Sequence, residues 1–350
     1  MPTLQSIDVV IPVYNAPILT RRCIDSVVAI LGRLIRYVHV QDDASNAETS
    51  EMLDSLTYPC VRVYHAKKNQ GFGLSVNEAI KRSDAELILV LNSDTEVRED
   101  ILTPLCAAMT ADPQLAVISP NHKSLAKHHV NRFIRRPGGY VPAYRLQGHA
   151  FLIRRTVFKM LDGFDPIYGR GYFEDIDLGR RLVLCGWRIG VHPDIHIIHN
   201  GGGSFGRGLA YHKLITINRA CYLARYPSAN RNIILLSGCY MLADLPVDLL
   251  DEIETVFREG GTLHWLTPAP APQLFCFHMR NSSINLWTSV KSMLRGLKRQ
   301  DKRISEIWLF PGMPNFYNRL FLTYARYRNL KIKSWSAKDQ KSSSSYSVTV

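Results

Sequence analysis

Four times in its first hundred residues this chain runs through an apolar-rich stretch and stops on a cluster of polar side chains. The sharpest case is "LILVLNSDTEV", where Leu87–Leu91 is unbroken hydrocarbon and Asn92, Ser93 and Asp94 follow at once. A continuous apolar run of that length suits a strand of a parallel sheet, covered by helices on both faces. The other three runs, "IDVVIPVYN", "RYVHVQDDAS" and "VRVYHA", alternate with helical patterns. That order predicts an α/β domain with parallel pairing and right-handed crossovers. In such sheets ligands gather beyond the carboxyl ends of the strands. A carboxylate delivered there is placed to hold something.

The intervening helices read as "PILTRRCIDSVVAIL", with Ile18, Cys23, Val27 and Leu31 near one face, "NAETSEMLDSL", with Asn46 as its cap, and "GLSVNEAIKRS". After "AVISPN" the alternation breaks into a basic loop, residues 121–146, which holds Lys123, Lys127, Arg132, Arg135 and Arg136. A strand "GHAFLIRR", a glycine- and aromatic-rich "FDPIYGRGYFED", a helix "DLGRRLVLCG" and "RIGVHPDIHIIHN" complete the first part. From about Asn230 a second α/β pattern begins with "NIILLSG" and ends with "LKIKSW". The expected division is a domain over 1–228, a small basic α/β domain over 229–340, and a tail over 341–350 with no reason to fold.

At 350 residues and 46% hydrophobic composition the chain can bury a sizeable core. Its seven cysteines are scattered, with no zinc spacing, and read as reduced core residues of an intracellular protein. No charged-then-apolar leader precedes the first strand, and the longest later apolar run, "NIILLSGCYMLADL", is too short to span a bilayer. The net charge of +13 is uneven: Arg280–Val350 carries fourteen Lys and Arg against three acids. Such a block is either a solvated basic surface or one drawn to anionic lipid or nucleic acid. Without a zinc finger, an RNA-binding signature or regular aromatic interleaving, nucleic acid is not an expected partner.

The polar clusters are Pro12 to Asn15, Asp42 to Ser45, Asn69 to Gly71, and Asn92 to Asp94. Each alone is ordinary turn chemistry. Recurring at successive strand ends, they can converge on one ligand.

In this order "VVIPVYNA", "QDDAS", "NQGFGLSVNEAI" and "LVLNSDTEV" resemble the nucleotide-binding half of family 2 glycosyltransferases, and "GHAFLIRR", "GFDPIYGRGYFEDIDLGRRLVLCGWRIG" and "HIIHNGGGS" resemble that family's acceptor-side motifs. The resemblance covers roughly residues 6–206 and is closest to bacterial rhamnosyltransferase-like members. It implies the GT-A fold, a doubly wound, mostly parallel sheet with helices on both faces. It places Asn92-Ser93-Asp94 at the metal-binding acidic motif, with Asn where the first acid is usual, so Asp94 is that motif's one carboxylate. His199 matches a histidine that completes the metal site in some relatives, and Mn²⁺ accepts imidazole more readily than Mg²⁺. His196, three residues earlier, should face away and serves as a comparison.

Nucleotide contacts are implied for Pro12, Tyr14, Asn15, Asp42, Asp43, Asn69, Gly71 and Ser93. One of Asp42 and Asp43 meets the base, and the sequence does not say which. Acceptor and sugar contacts are implied for Gly148, His149, Tyr172 and Glu174. Asp175, at a helix N-terminus that favours the ionised carboxylate, is implied as the base that deprotonates the acceptor hydroxyl.

The expected function is an inverting glycosyltransferase that uses Mn²⁺ or Mg²⁺. It would take a sugar from a UDP- or dTDP-linked donor to a hydroxyl of a growing cell-surface glycan, free or lipid-linked, in the cytoplasm or on the cytoplasmic face of the membrane. Two alternatives stand beside it. A sugar-nucleotide-forming nucleotidyltransferase would need a glycine-rich, basic N-terminal loop, and "PVYNAPILTRR" is poor in glycine. A silent nucleotide- or partner-binding scaffold would not need Asp94, Asp175 and His199 together.

Overall fold

The computed structural model describes residues 6–121, 130–201, 208–269, 271, 273–296 and 302–336. It divides into two compact units, Met1–Tyr226 and Pro227–Val350. Lys123, Lys127 and the expected tail over 341–350 lie outside the described residues.

The first unit is built on β1 (Ile7–Val13), α1 (Pro17–Leu31), β2 (Val38–Asp42), α2 (Ala47–Asp54), β3 (Val61–His65), α3 (Phe72–Lys81) and β4 (Leu87–Leu91). β5 (Thr95–Glu96), α4 (Leu102–Ala111), β6 (Leu115–Asn121), β7 (Val141–Ala143), β8 (Ala150–Arg154) and α5 (Arg155–Met160) follow. α6 (Glu174–Leu184), β9 (Arg188–His196), β10 (Ile198–His199) and α7 (Leu209–Arg225) complete it.

Among the described residues the main sheet runs β3-β2-β1-β4-β8-β6-β9-β7. β3, β2, β1 and β4 pair in parallel. Every residue of β1 and β4 is buried, as two covered faces require. Alternate residues, including Val9, Ile11, Leu87 and Leu89, join Cys23, Val27 and Leu31 of α1 and Leu105 of α4 in one core. Val76, Ala79 and Ile80 of α3 are buried too. Asn46 caps α2 as expected, accepting from Thr49 N–H at 3.1 Å. Ile18, expected on the inner face of α1, is 67% exposed, and Thr20 and Ile24 are buried in its stead. The inner stripe thus begins one turn later, beyond Pro17.

Parallel pairing does not extend through the whole sheet. β8 is antiparallel to both β4 and β6, and β7 to β9. No crossover helix lies between residues 133 and 149, so the chain enters β8 from the rim where β4 ends; Asn92 N–H donates to His149 O at 2.9 Å there.

The second unit contains β11 (Asn232–Leu236), α8 (Val247–Arg258), β12 (Thr262–Thr267), β13 (Met279–Ser283), α9 (Leu286–Leu294), β14 (Glu306–Leu309), α10 (Asn315–Arg328) and β15 (Lys331–Ser334). Its sheet, in the order β13-β12-β11-β14-β15, is parallel throughout. β13 and α9 have no counterpart among the sequence-predicted elements. All seven cysteines are free thiols, of which Cys185 and Cys239 are exposed and so are not core residues. Among the described residues no helix is long and apolar enough to cross a membrane.

Candidate active site

Where β4 leaves the sheet, the chain turns over Asn92 and Ser93 and pairs again as β5. β10 lies antiparallel to β5, with His199 opposite Thr95. This short ladder fixes Asp94. Its carbonyl accepts from Asn200 N–H at 3.0 Å and from Asn200 Nδ2 at 3.2 Å. Its carboxylate Oδ1 lies 3.2 Å from His199 Nε2. The His149 ring stacks on His199, centroids 4.9 Å apart and 15° from parallel. His196 is exposed and is occupied at its backbone, where its N–H donates to Glu99 Oε1 at 2.9 Å.

The second half of the site comes from the loop before α6. Tyr172 and Phe173 hold φ of 68° and 79°, left-handed values that cost free energy in residues with a Cβ. Three hydrogen bonds hold the loop in that form. Asn218, buried on α7, donates through Nδ2 to the carbonyls of Tyr168 and Gly171 at 2.8 Å and of Tyr172 at 3.0 Å. Asp177, fully buried, ties α6 to the same region by accepting from Arg181 at 2.7 Å and from Tyr226 Oη at 3.1 Å.

Glu174 and Asp175 open α6. Asp175 Oδ1 accepts from Ile176 N–H at 2.8 Å, and Oδ2 from Gly148 N–H at 3.2 Å. Burial nonetheless pushes the Asp175 carboxyl up from its ordinary range, against those two bonds and the charge of Arg145. Burial first, and the Asp175 charge second, push Glu174 up to about 8. Glu174 Oε2 is buried without a hydrogen-bond partner among the described residues. The helix terminus does favour ionisation, as the sequence argument holds, but desolvation outweighs it for both carboxyls.

These two halves meet in a cavity of about 490 Å³ lined by Asn92, Gly148, His149, Tyr172, Glu174, Asp175 and His199, with Phe72 and Phe173 as apolar walls. Asp94 does not line it directly but is paired with His199, which does. Asn92 Oδ1 is a buried oxygen without a partner among the described residues. Asn92, Asp94 and His199 together offer two oxygens and one imidazole nitrogen, a mixture that suits Mn²⁺. Among the described residues no cluster of three or more His, Cys, Asp or Glu side chains is set to hold a metal. A cation here would complete its shell with ligand oxygens.

The remaining sequence-predicted residues lie at the carboxyl ends of β1 to β4, outside the lining of that cavity. Pro12 and Ser93 are buried, and Tyr14 and Asn69 half-buried. Asn15 braces the β1 and β2 ends: its N–H donates to Ser45 Oγ at 2.8 Å and its Oδ1 accepts from Asn46 N–H at 2.9 Å. Asp42 accepts from Ser45 N–H at 3.0 Å and sits 2.7 Å from His65 Nδ1, a contact that raises the imidazole's pKa. Both Asp43 oxygens accept backbone N–H groups at 2.8 Å, from Gln70 and Gly71. Each acid therefore has an internal partner, and Asp43 latches the 70–71 turn. Gly71, at φ 92°, makes its close approach to the chain itself: a Cβ there would lie 2.5 Å from Arg170 Cα and Gly169 O. In the basic loop, Arg135 is paired with Asp194 at 2.9 Å.

Sequence reasoning missed Asn218. A buried Asn in the middle of a helix pattern, flanked by apolar and basic residues, gives no periodic or motif signal.

Residues 8–162 match the family described as glycosyl transferase family 2. Among curated proteins, the N-acetylglucosaminyl-diphospho-decaprenol L-rhamnosyltransferase of Mycobacterium tuberculosis is 27% identical over 198 residues, covering 44% of this chain and 64% of that protein. The succinoglycan biosynthesis protein ExoO of Rhizobium meliloti is 28% identical over 219 residues, covering 57% of this chain and 62% of that protein. The chain thus spans less than two thirds of the length of either relative. Among solved structures, the mannosyltransferase PcManGT from Pyrobaculum calidifontis, in complex with GDP-Man and Mn²⁺, superposes with a TM-score of 0.50 at 17% identity, covering 63% of this chain and 64% of that one. At that identity the likeness speaks for the fold alone.

Proposed function

We propose that this chain, whose residues 8–162 belong to glycosyl transferase family 2, is an inverting, metal-dependent glycosyltransferase. The donor in this reading is a UDP- or dTDP-linked sugar, and the acceptor a hydroxyl of a lipid-linked, growing cell-surface glycan. The observation that carries the reading is the common cavity, in which Asp175 and Glu174 face Asn92, His149 and His199.

In this reading the labour is divided between the two halves of the site. Pro12, Tyr14, Asn15, Asn69, Gly71 and Ser93 line the strand-end rim on which the nucleotide lies, and Asp42 or Asp43 meets its base with a second lone pair. Asn92, Asp94 and His199 are the residues that would hold Mn²⁺ or Mg²⁺. Bound there, such an ion would offset the negative charge that grows on the departing nucleoside diphosphate. Opposite, Asp175 accepts the proton of the acceptor hydroxyl as that oxygen attacks the anomeric carbon. Its raised pKa strengthens it as a base, while the N–H groups of Ile176 and Gly148 oppose the shift and aim the carboxylate. Glu174, largely protonated at neutral pH, can donate a hydrogen bond to a sugar hydroxyl. Gly148 and Tyr172 shape the sugar pocket. The basic C-terminal part of the chain draws the enzyme to an anionic membrane surface, where a lipid-linked acceptor is found.

A panel of sugar nucleotides incubated with the protein and Mn²⁺ tests the reading. Hydrolysis or transfer from one UDP- or dTDP-sugar is expected, and Asp175→Asn should lower transfer by a thousandfold or more while leaving nucleotide affinity within about threefold. An Asp175→Asn protein that transfers sugar at the wild-type rate would remove Asp175 from the base role.

A further inference from the structure

The helix α9 is built inside out. Its buried face is made of Ser289 and Ser292, with Met293 half-buried. Its outward face carries Leu286 at 58% exposure, Trp287 at 73%, Val290 at 38% and Leu294 at 53%. Leu286, Val290 and Leu294 recur every four residues, and Trp287 stands beside the first, so the apolar groups form one stripe along the helix. Water opposes that arrangement, and a contiguous exposed apolar patch marks a surface that meets something. The helix is set at its start by its own residues: Asn285 and Thr288 form a reciprocal cap, with bonds of 2.8 and 2.9 Å.

Charge identifies the partner. Lys291 is exposed one turn after Trp287, and Arg295 follows the helix. Gly296 brings Arg303 to the same end, since a Cβ at Gly296 would lie 2.6 Å from Arg303 Cα. An apolar stripe bordered by cations, ending in an aromatic amphiphile, is the composition of a helix that lies in a membrane interface. A second copy of the chain is a poorer fit, because a two-fold interface on this stripe would bring Lys291 and its neighbours toward their own equivalents in a protein of charge +13. We infer that the Leu286–Leu294 helix inserts its Leu286, Trp287, Val290 and Leu294 side chains into the interfacial region of an anionic lipid bilayer. This deepens the membrane placement proposed above and names the element responsible. It stands apart from the catalytic reading, because lipid binding and donor hydrolysis are measured separately.

The test is flotation of the full chain with vesicles of phosphatidylethanolamine and phosphatidylglycerol, against vesicles of phosphatidylcholine alone. The wild-type chain floats with the anionic vesicles. Trp287→Ser combined with Leu294→Ser lowers vesicle affinity by about tenfold or more, and Lys291→Glu lowers it several-fold and weakens its salt dependence. Donor hydrolysis without vesicles stays at the wild-type rate in both variants. The inference is overturned if the wild-type chain does not float, or if the double variant floats like it. It is also overturned if sedimentation finds a dimer that the double variant dissolves, since the stripe would then serve a second copy. Should the double variant lose its circular-dichroism spectrum, the Lys291→Glu protein decides alone.

Discussion

Gly148→Ala isolates the seat of the proposed base. The residue is ordinary backbone, so the substitution carries no dihedral penalty, and its whole effect is the added methyl group. That Cβ would lie 2.7 Å from Asp175 Oδ2 and 3.0 Å from Asp175 Cβ. Comfortable contact begins near 3.5 Å, so the carboxylate must retreat by roughly 0.5–1 Å. A misplacement of about 1 Å at a reacting group can cost on the order of 10²-fold, about 2.7 kcal/mol in the barrier. Overpacking at this spot should also cost roughly 1–3 kcal/mol of stability. The retreat stretches the Gly148 N–H bond that favours the ionised form, so the pKa of Asp175 rises further and the acidic limb of kcat/KM moves to higher pH. The assay is sugar transfer across a pH series, with nucleotide affinity measured calorimetrically on the same protein. A fall of about 10²-fold in kcat with donor affinity held, and an upward-shifted acidic limb, is the expected result. A Gly148→Ala enzyme with wild-type kcat and an unmoved limb would show that Asp175 need not sit where the fold puts it.

Other perturbations address the rest of the site. Asp94→Ala and His199→Ala should each weaken Mn²⁺ binding about tenfold or more in a titration followed by electron paramagnetic resonance, whereas His196→Ala should leave it unchanged. Glu174 holds a proton in the folded chain between its ordinary value of 4.5 and about 8 that it has released when unfolded. Wild-type stability therefore falls as pH rises through that window, and Glu174→Gln should gain on wild type between pH 5 and pH 9 by up to a few kcal/mol in thermal unfolding. Equal pH dependence in the two proteins would mean that Glu174 ionises freely in the fold. Asn218→Leu removes the donor to three loop carbonyls; acceptor KM should rise about tenfold or more with donor KM unchanged, and a uniform fall in kcat alone would make Asn218 a purely structural residue.

What could be read from the residues was whatever obeys a short-range rule. "LILVL" needs two covered faces, and β4 has them. Asn46 precedes an apolar-periodic run and caps it. The pairing of Asp94 with His199 was legible only through motif resemblance, because the β5–β10 ladder that creates it joins segments about a hundred residues apart. The antiparallel entry of β8 was not legible, since strand direction depends on the path of the preceding loop. Asp43 shows the opposite difficulty: acids at a strand end signal a ligand and a turn alike, and here the carboxylate spends both oxygens on the turn at Gln70 and Gly71. α9 keeps a helical spacing at Leu286, Val290 and Leu294, but nothing in that spacing says that the stripe faces outward, since an inward and an outward apolar face share one period.

The contact of Gly71 with Gly169 and Arg170 has a kinetic meaning. The turn that Asp43 holds and the loop that Asn218 holds press on each other at Gly71, where there is no room for a side chain. If a nucleotide reseats Asp43, it shifts the surface against which the Tyr172 loop rests, so the sugar donor should enter before the second substrate. Product-inhibition patterns would then be those of a compulsory sequence, and a methyl group at position 71, which would press on Gly169 and Arg170, would be expected to jam that sequence.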